Sequence, residues 1–133
     1  MRLVVRTPDA VVVDREVEHV RAEDASGTFG LLSRHADLVT ALEVSVVVYR
    51  DAERREHFVA VRGGLLTMSD GALVSVLTRE AEASDDLTTL SRDVLARFRS
   101  RGAAEARARA SAGKLQGALL QHLSELFRRG AVP

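Results

Sequence analysis

The chain has 133 residues, 46% hydrophobic and 4% aromatic, and its formal net charge is zero. This length supports one domain, or one domain and an appendage, around a core of Val, Leu and Ala rather than stacked rings. With no cysteine there is no disulfide framework and no thiolate metal site, and no run approaches the roughly 18 apolar residues of a membrane span.

The zero charge is unevenly divided. Met1 to Ala83 carries −4, and Ser84 to Pro133 carries +4. An acidic front and a basic tail suggest two modules, although helices with solubilising arginines would give the same balance. No basic-then-apolar segment opens the chain, so no secretory leader is expected. Any link to a membrane is expected to run through a partner.

Leu3-Val4-Val5 reads as a short strand ended by the turn Thr7-Pro8-Asp9, and Ala10 to Val13 restarts as a strand. Val17 to Ala22 alternates, with Val17, His19 and Arg21 on one face. Glu23 to Gly27 reads as a loop. The stretch Ser26 to Leu42 is expected to join two layers of a sheet protein, with Phe29, Leu31 and Leu32 buried and a polar break at Ser33 to Asp37. Val44 to Tyr49 is β-branched and nearly all apolar, the pattern of a strand buried on both faces. Arg50 to Glu56 is a charged hairpin turn. Phe58 to Val61 returns, and Gly63-Gly64 supplies backbone freedom where a side chain would clash. Leu65 to Met68, the turn Ser69-Asp70-Gly71, and Leu73 to Thr78 form a further hairpin. Short strands divided by turns predict an antiparallel sandwich or barrel.

The period changes after Ala83. Ser84-Asp85-Asp86 suits a helix start, because short oxygens accept orphan N–H groups there. Leu87, Leu90, Val94, Leu95 and Phe98 recur at helical spacing. Arg101-Gly102 reads as a stop, with Gly in the left-handed cap position. Ala103 to Arg129 is then a second helix, with the stripe Leu115, Leu119, Leu123, Leu126 and Phe127. The expected fold is therefore a β plus α chain: an N-terminal antiparallel β-sandwich at 1–83 and a C-terminal α-helical hairpin at 84–133.

Few residues offer bond-making chemistry. Ser33, His35 and Asp37 are wrongly separated for a proton relay, and no strand-turn-helix elbow surrounds the serine. His19, His35 and His57 with Asp37 lack the paired spacing of metal ligands. Arg62-Gly63-Gly64-Leu65 lacks the Lys-Ser/Thr ending of a phosphate loop. Arg97, Arg99, Arg101, Arg107 and Arg109 have no interleaved aromatics, which argues against nucleic acid. An interaction protein without catalytic residues, metal or cofactor remains.

Ser26 to Leu42 also resembles a segment of the epsilon subunits of F-type ATP synthases, through Gly27, Gly30, Leu31, Leu32, His35, Ala36, Leu38, Thr40, Ala41 and Leu42. Phe58 to Leu66 with its Gly-Gly turn, followed by Val74 to Leu77, resembles a second signature of that family. The family pattern has an acid where Thr28 stands, Pro-Gly where Ser33-Arg34 stands, and Pro where Asp37 stands. Those departures, with Arg79 to Glu82 leading straight to the helix, resemble the divergent second ATPase of some bacteria.

The resemblance implies a non-catalytic central-stalk subunit that couples ion-driven rotation to ATP synthesis on other subunits. It implies a peripheral position on the cytoplasmic face of a bacterial plasma membrane. It implies contact with the gamma subunit and, through Ser26, Gly27, Thr28, Phe29, Gly30, Arg34, His35 and Asp37, with the ring of c subunits. The face of Val44 to Tyr49 and Phe58 to Leu66 is then either gamma-facing or core. The tail can inhibit hydrolysis in this family, through basic residues against the catalytic beta subunit. By charge and place Arg107, Arg109, Lys114, Arg128 and Arg129 match those residues. Asp93 to Phe98 departs from the ATP-sensing motif of some members. The alternative is a stand-alone β-sandwich adaptor whose basic helical tail binds an acidic protein partner.

Overall fold

The computed structural model describes the backbone of residues 1–128 and the side chains of residues 1–113. The side chains of Lys114, Arg128 and the stripe Leu115, Leu119, Leu123, Leu126 and Phe127 lie outside the described residues, as does Arg129.

Eight strands come first: β1 (Arg2–Arg6), β2 (Val11–Glu16), β3 (His19–Asp24), β4 (Gly27–Leu32), β5 (Leu38–Arg50), β6 (Glu56–Ser69), β7 (Leu73–Leu77) and β8 (Ala81–Ser84). They form the expected β-sandwich. β5 and β6 have 13 and 14 residues and pair antiparallel along nearly their whole length. The last part of β6 pairs with β7, its first part pairs with β8, and β5 pairs with β3 near Arg50. The two long strands thus belong to both layers. β1 closes one layer by pairing parallel with β7 and antiparallel with β2.

The change of layer has a local cause. Pairing skips a step between Leu42–Gly64 and Val44–Arg62. There Gly63 and Gly64 have φ of +66° and +113°, a region that side chains disfavour. A Cβ on Gly64 would lie 2.0 Å from the Leu77 carbonyl oxygen. So Phe58–Val61 and Leu65–Met68, read as separate strands, are one bent strand. Leu38 to Leu42 and Val44 to Tyr49 likewise merge into β5.

Three other expectations change. Gly27–Leu32 is a paired strand of a β3–β4 hairpin rather than a loop. Its turn is only Ala25 and Ser26. Val20 and Ala22 are buried on one face of β3, and Val17, which simple alternation sets on the opposite face, is buried as well because it lies before the strand begins. Arg79 to Glu82 does not lead straight to the helix, because Ala81–Ser84 pairs with Val61 to Phe58 as β8.

The main core lies between the layers and includes Leu3, Val5, Val20, Leu31, Val47, Val59, Val61, Leu66, Met68, Val74 and Val76. Aliphatic side chains do the packing, as the composition implies. The other face of β5 and β6 carries a second cluster. There Val44, Val46, Phe58 and Ala60 meet Leu90, Val94, Leu95 and Phe98. Val44 to Tyr49 is therefore buried on both faces, as its apolar run suggests.

The helical segment begins at Asp86, whose carboxylate accepts from the backbone N–H groups of Thr88 and Thr89 at 3.0 and 3.3 Å. α1 (Leu87–Thr89) opens into a π-helical turn at Leu90–Val94, and α2 (Leu95–Arg128) follows. In the wide turn the Leu95 N–H donates to the Leu90 carbonyl. Five-residue spacing sets Leu90 and Leu95 on one face with Val94 and Phe98. Leu87, counted in the same stripe from sequence, is exposed. The predicted hairpin is not formed: α2 runs unbroken through Arg101-Gly102. Gly102 is helical there, and a glycine inside a helix costs only about 1 kcal/mol against Ala.

Contacts divide the chain into two compact units, Met1–Arg99 and Ser100–Pro133. The first includes the helix start because Leu90 and Phe98 cover Ala60 and Phe58. A chain ending at Arg99 should therefore keep its urea midpoint better than one ending at Ser84, which exposes that second cluster. Leu90→Ala in the full chain should cost about 2–5 kcal/mol, the range for a buried leucine. Equal midpoints for the two truncations would show that the helix start adds nothing to the sandwich.

Candidate functional site

The residues singled out between Ser26 and Asp37 do not form one loop. Ser26 sits in the β3–β4 turn and Gly27 opens β4 beside it. Arg34, His35 and Asp37 follow its other end. The turn is held by Asp24. One of its carboxylate oxygens accepts from the Ser26 N–H at 2.9 Å and the Ser26 hydroxyl at 2.5 Å. The other accepts from the Thr40 hydroxyl of β5 at 2.7 Å. These donors hold the Asp24 carboxyl below the usual carboxylate range, Ser26 contributing most. Gly27 takes a φ of +118° to complete the turn.

Along β4, Thr28 is exposed opposite Glu23, and Phe29 reaches the core. Gly30 lets the His19 ring lie close over β4, since a Cβ there would stand 2.9 Å from its Nε2 and the ring would have to shift. Burial, with Arg50 and Arg21 nearby, holds His19 below the ordinary histidine value.

The Ser33–Asp37 segment packs on the β6–β7 turn. The Arg34 N–H donates to the Gly71 carbonyl at 2.7 Å, and Asp37 accepts from the Asp70 N–H at 3.0 Å. Arg34 takes a φ of +70°. A Cβ on Gly71 would lie 2.7 Å from the Arg34 Cα. His35 Nδ1 lies 2.8 Å from the Ala36 carbonyl. His35 and Asp37 are thus engaged separately, one with the Ala36 carbonyl and the other with the Asp70 N–H. The side chains of Arg34, His35 and Asp37 are exposed. Among the described residues, no group of three or more His, Cys, Asp or Glu could share a metal ion.

A second surface was not visible in the sequence. Strand register aligns Val11, Arg6, Leu77, Leu65 and Ala41 across β2, β1, β7, β6 and β5. The adjacent row on the same side runs Asp14, Val4, Ser75, Thr67 and Val39. Val11, Val39, Leu65 and Leu77 are 55%, 66%, 42% and 52% exposed. Four large aliphatic side chains on one sheet face mark a contact surface rather than scattered exposure. The strand signals were legible singly, but which residues share a row depends on pairing. By contrast, Val44, Val46, Phe58 and Ala60 are covered by the helix start, and Val47, Val59 and Val61 are core. Of the stretch that sequence left as gamma-facing or core, Leu65 is on the exposed row.

Beside this row lies a cavity of about 410 Å³ lined by Arg6, Thr7, Arg62, Leu77, Thr78 and Arg79, among others. Arg62 is paired with Glu80 at 3.6 Å, so part of its positive charge is answered within the fold. On α2, Arg107 and Arg109 are exposed. Arg97, part of the departed ATP-sensing motif, is bound to Glu82 of β8 and lies 6.0 Å over the Phe98 ring. Among the described residues, no helix is long and apolar enough to cross a membrane.

The sandwich surfaces acquire meaning from comparison. Residues 1–84 match the family described as "ATP synthase, Delta/Epsilon chain, beta-sandwich domain". The chain belongs to this ATP synthase family. An epsilon chain 2 from Cereibacter sphaeroides is 40% identical over 128 residues, covering 92% of this chain and 88% of that one. An epsilon chain 2 from Paraburkholderia xenovorans is 37% identical over 91 residues, 68% of this chain and 66% of that one. The likeness is therefore to epsilon chains, the second-type copy included, and such a chain is an accessory subunit rather than a catalytic one. In fold, the chain resembles one in the Euglena gracilis mitochondrial ATP synthase OSCP/F1/c-ring assembly. The TM-score is 0.59 at 21% identity, over 80% of this chain and 62% of that one. It also resembles a chain of the Tetrahymena thermophila central stalk and c-ring, with TM-score 0.56 at 11% identity, over 70% of this chain and 71% of that one.

The Asp24 turn gives a test of this epsilon chain's architecture. Its folded pKa lies below the unfolded value of about 3.9. The resulting stability is present above that value and is lost as pH falls through the folded one. Asp24→Asn should lower the urea midpoint near neutrality and flatten its decline in acid. An unchanged acid slope would assign that decline to other carboxylates.

Proposed function

We propose that this chain is a central-stalk rotor subunit of a bacterial F-type ATP synthase, coupling ion-driven rotation of the c ring to ATP synthesis elsewhere in the complex. The observation that carries this reading is the exposed aliphatic row on a sandwich of the epsilon family. A rotor subunit has no chemistry of its own and needs broad contacts that resist shear. The row Val11, Leu77 and Leu65, with Val39 beside it, suits an apolar face of the gamma subunit, because burying such side chains is favourable and non-directional. The exposed polar groups of the β3–β4 turn and of Arg34, His35 and Asp37 suit the polar loops of the c ring. Each is held by its own backbone contacts, so each is preorganised for contact.

In this reading the subunit lies on the cytoplasmic face of the membrane and reaches it only through the complex. The sandwich, residues 1–83, makes the stalk contacts, and residues 84–133 form a regulatory tail. Arg107 and Arg109, with Lys114, Arg128 and Arg129 further on, then oppose an acidic surface of the catalytic beta subunit and restrain hydrolysis. The positive balance of the tail supports this. The unbroken α2 also suits a tail that lies along another subunit.

A tagged chain should recover gamma, the c ring and the catalytic subunits from membranes of its source cell. Leu65→Glu and Val39→Lys should each reduce that recovery at least tenfold while leaving the unfolding free energy in urea within about 0.5 kcal/mol of wild type, as expected for exposed positions. Full recovery by both variants would move the gamma contact to another face. Recovery of no ATP synthase subunit by the folded wild-type chain would overturn the rotor reading in favour of the adaptor.

Deleting Ser100 to Pro133 should raise ATP hydrolysis by the assembled complex. An unchanged rate, with assembly intact, would remove the inhibitory role of the tail.

A further inference from the structure

We propose that His57 is a proton-operated latch that ties the junction between β8 and α1 to the sandwich. The last paired residues of β6 and β8 are Phe58 and Ser84. His57 and Asp85 lie one step further along those strands. His57 Nδ1 is 3.0 Å from Asp85 Oδ1, and His57 Nε2 is 2.8 Å from Asp51 Oδ2. Tyr49 stacks on the ring at 5.2 Å between centroids, with 21° between planes. Arg15 of β2 completes the surroundings, its Nη1 3.3 Å from Nε2 and its Nη2 3.5 Å from Asp51 Oδ2. The charged and titratable groups that face the ring are thus Arg15 from β2, Tyr49 from β5, Asp51 from the β5–β6 turn and Asp85 from the junction.

Two carboxylates face opposite nitrogens of one imidazole. Both accept a hydrogen bond only when the ring carries both protons, because a neutral ring has one N–H and one lone pair. Loss of a proton therefore turns one favourable contact into a lone pair facing a carboxylate. The two carboxylates do not share that cost equally. The Asp51 side chain is 4% exposed and that of Asp85 is 83% exposed. Asp51 also accepts from the backbone N–H groups of Glu53 and Arg55, both at 2.9 Å, which fixes its position. A lone pair on Nε2 would face a buried carboxylate that its backbone bonds hold in place, whereas Asp85 can turn away from a lone pair on Nδ1 and into water. Arg15 opposes an Nε2–H by presenting its own N–H to that nitrogen, yet the same guanidinium also needs Asp51 ionised in place. The neutral ring keeps Asp51 and gives up Asp85.

The consequence falls on the helix start. Asp85 immediately precedes Asp86, the residue that caps α1. With the latch closed, the junction is pinned at Asp85 as well as through the β6–β8 ladder. With the latch open, the ladder to Ser84 and the cap remain, and the first turn is tethered at one point fewer. The latch closes in acid and opens as pH rises, because its holding form is the protonated one. The opposed placement of the two carboxylates also separates this cluster from a metal site, whose ligands must converge on one point.

Hydrogen exchange of the full chain at the Thr88, Thr89 and Leu90 amides, corrected for intrinsic rates, tests it at about pH 5 and about pH 8. Protection should be about twofold to fivefold higher at the lower pH, the range of one largely exposed ion pair. Asp85→Asn, at an exposed position that does not threaten folding, should abolish the difference, and His57→Gln should do the same. The His57 ring nitrogen shifts should follow the same midpoint as the amides. Equal protection of the wild-type chain at both pH values, a difference that survives in Asp85→Asn, or separate midpoints for ring and amides would each overturn the latch.

Discussion

The antiparallel pairing of β5 with β6 is the contact on which the remaining architecture depends. Each strand is about twice as long as a typical one, and together they thread both layers. A ladder of that length would twist out of any single flat layer. Here it changes layer at one place, where Gly63 and Gly64 take left-handed backbone conformations and the Leu77 carbonyl fills the space a side chain would need. Everything else is added to this ribbon: β7 and β1 on one part, β3 and β8 on the other, and the helix start across its outer face.

That arrangement also decides which apolar residues are available for contact. Two alternating faces on two layers give four surfaces. The inner two make the main core. One outer surface is closed by Leu90, Val94, Leu95 and Phe98. Another carries Val11, Val39, Leu65 and Leu77 in the open. The π-helical turn matters to the closed surface, since a regular helix of about 3.6 residues per turn would set Leu95 about 140° around the axis from Leu90.

Strand existence was legible wherever β-branched runs met turn residues, as at Val44 to Tyr49 and Leu73 to Leu77. The Asp-rich helix start was legible because capping is local chemistry. Strand continuity was not. Gly63-Gly64 carries the signal of a turn, and only the partner strand turns that signal into a bend. β8 was missed because Ala81 to Ser84 lacks β-branched residues and is held in extended form by β6. The helix break expected at Arg101-Gly102 is absent for the opposite reason: one glycine costs less than ending a long helix. Of the proposed contact residues, the polar ones near His35 could be named from their family pattern. The aliphatic row could not, since it is assembled from four strands by register alone.

The parallel pairing of β1 with β7 bears on how the chain comes into being. Residues 2–6 are made well before residues 73–77, so one of their two edges has no partner until the later segment leaves the ribosome. The β1–β2 hairpin can form early, but its open edge must wait through the synthesis of most of the sandwich. Contacts so distant in sequence slow folding, and an unsatisfied edge invites pairing with other chains. Arg2 and Arg6 flank the apolar centre of that strand. Charges at both ends of a waiting edge discourage such premature pairing, so the same two arginines that decorate the finished sheet also guard its nascent form.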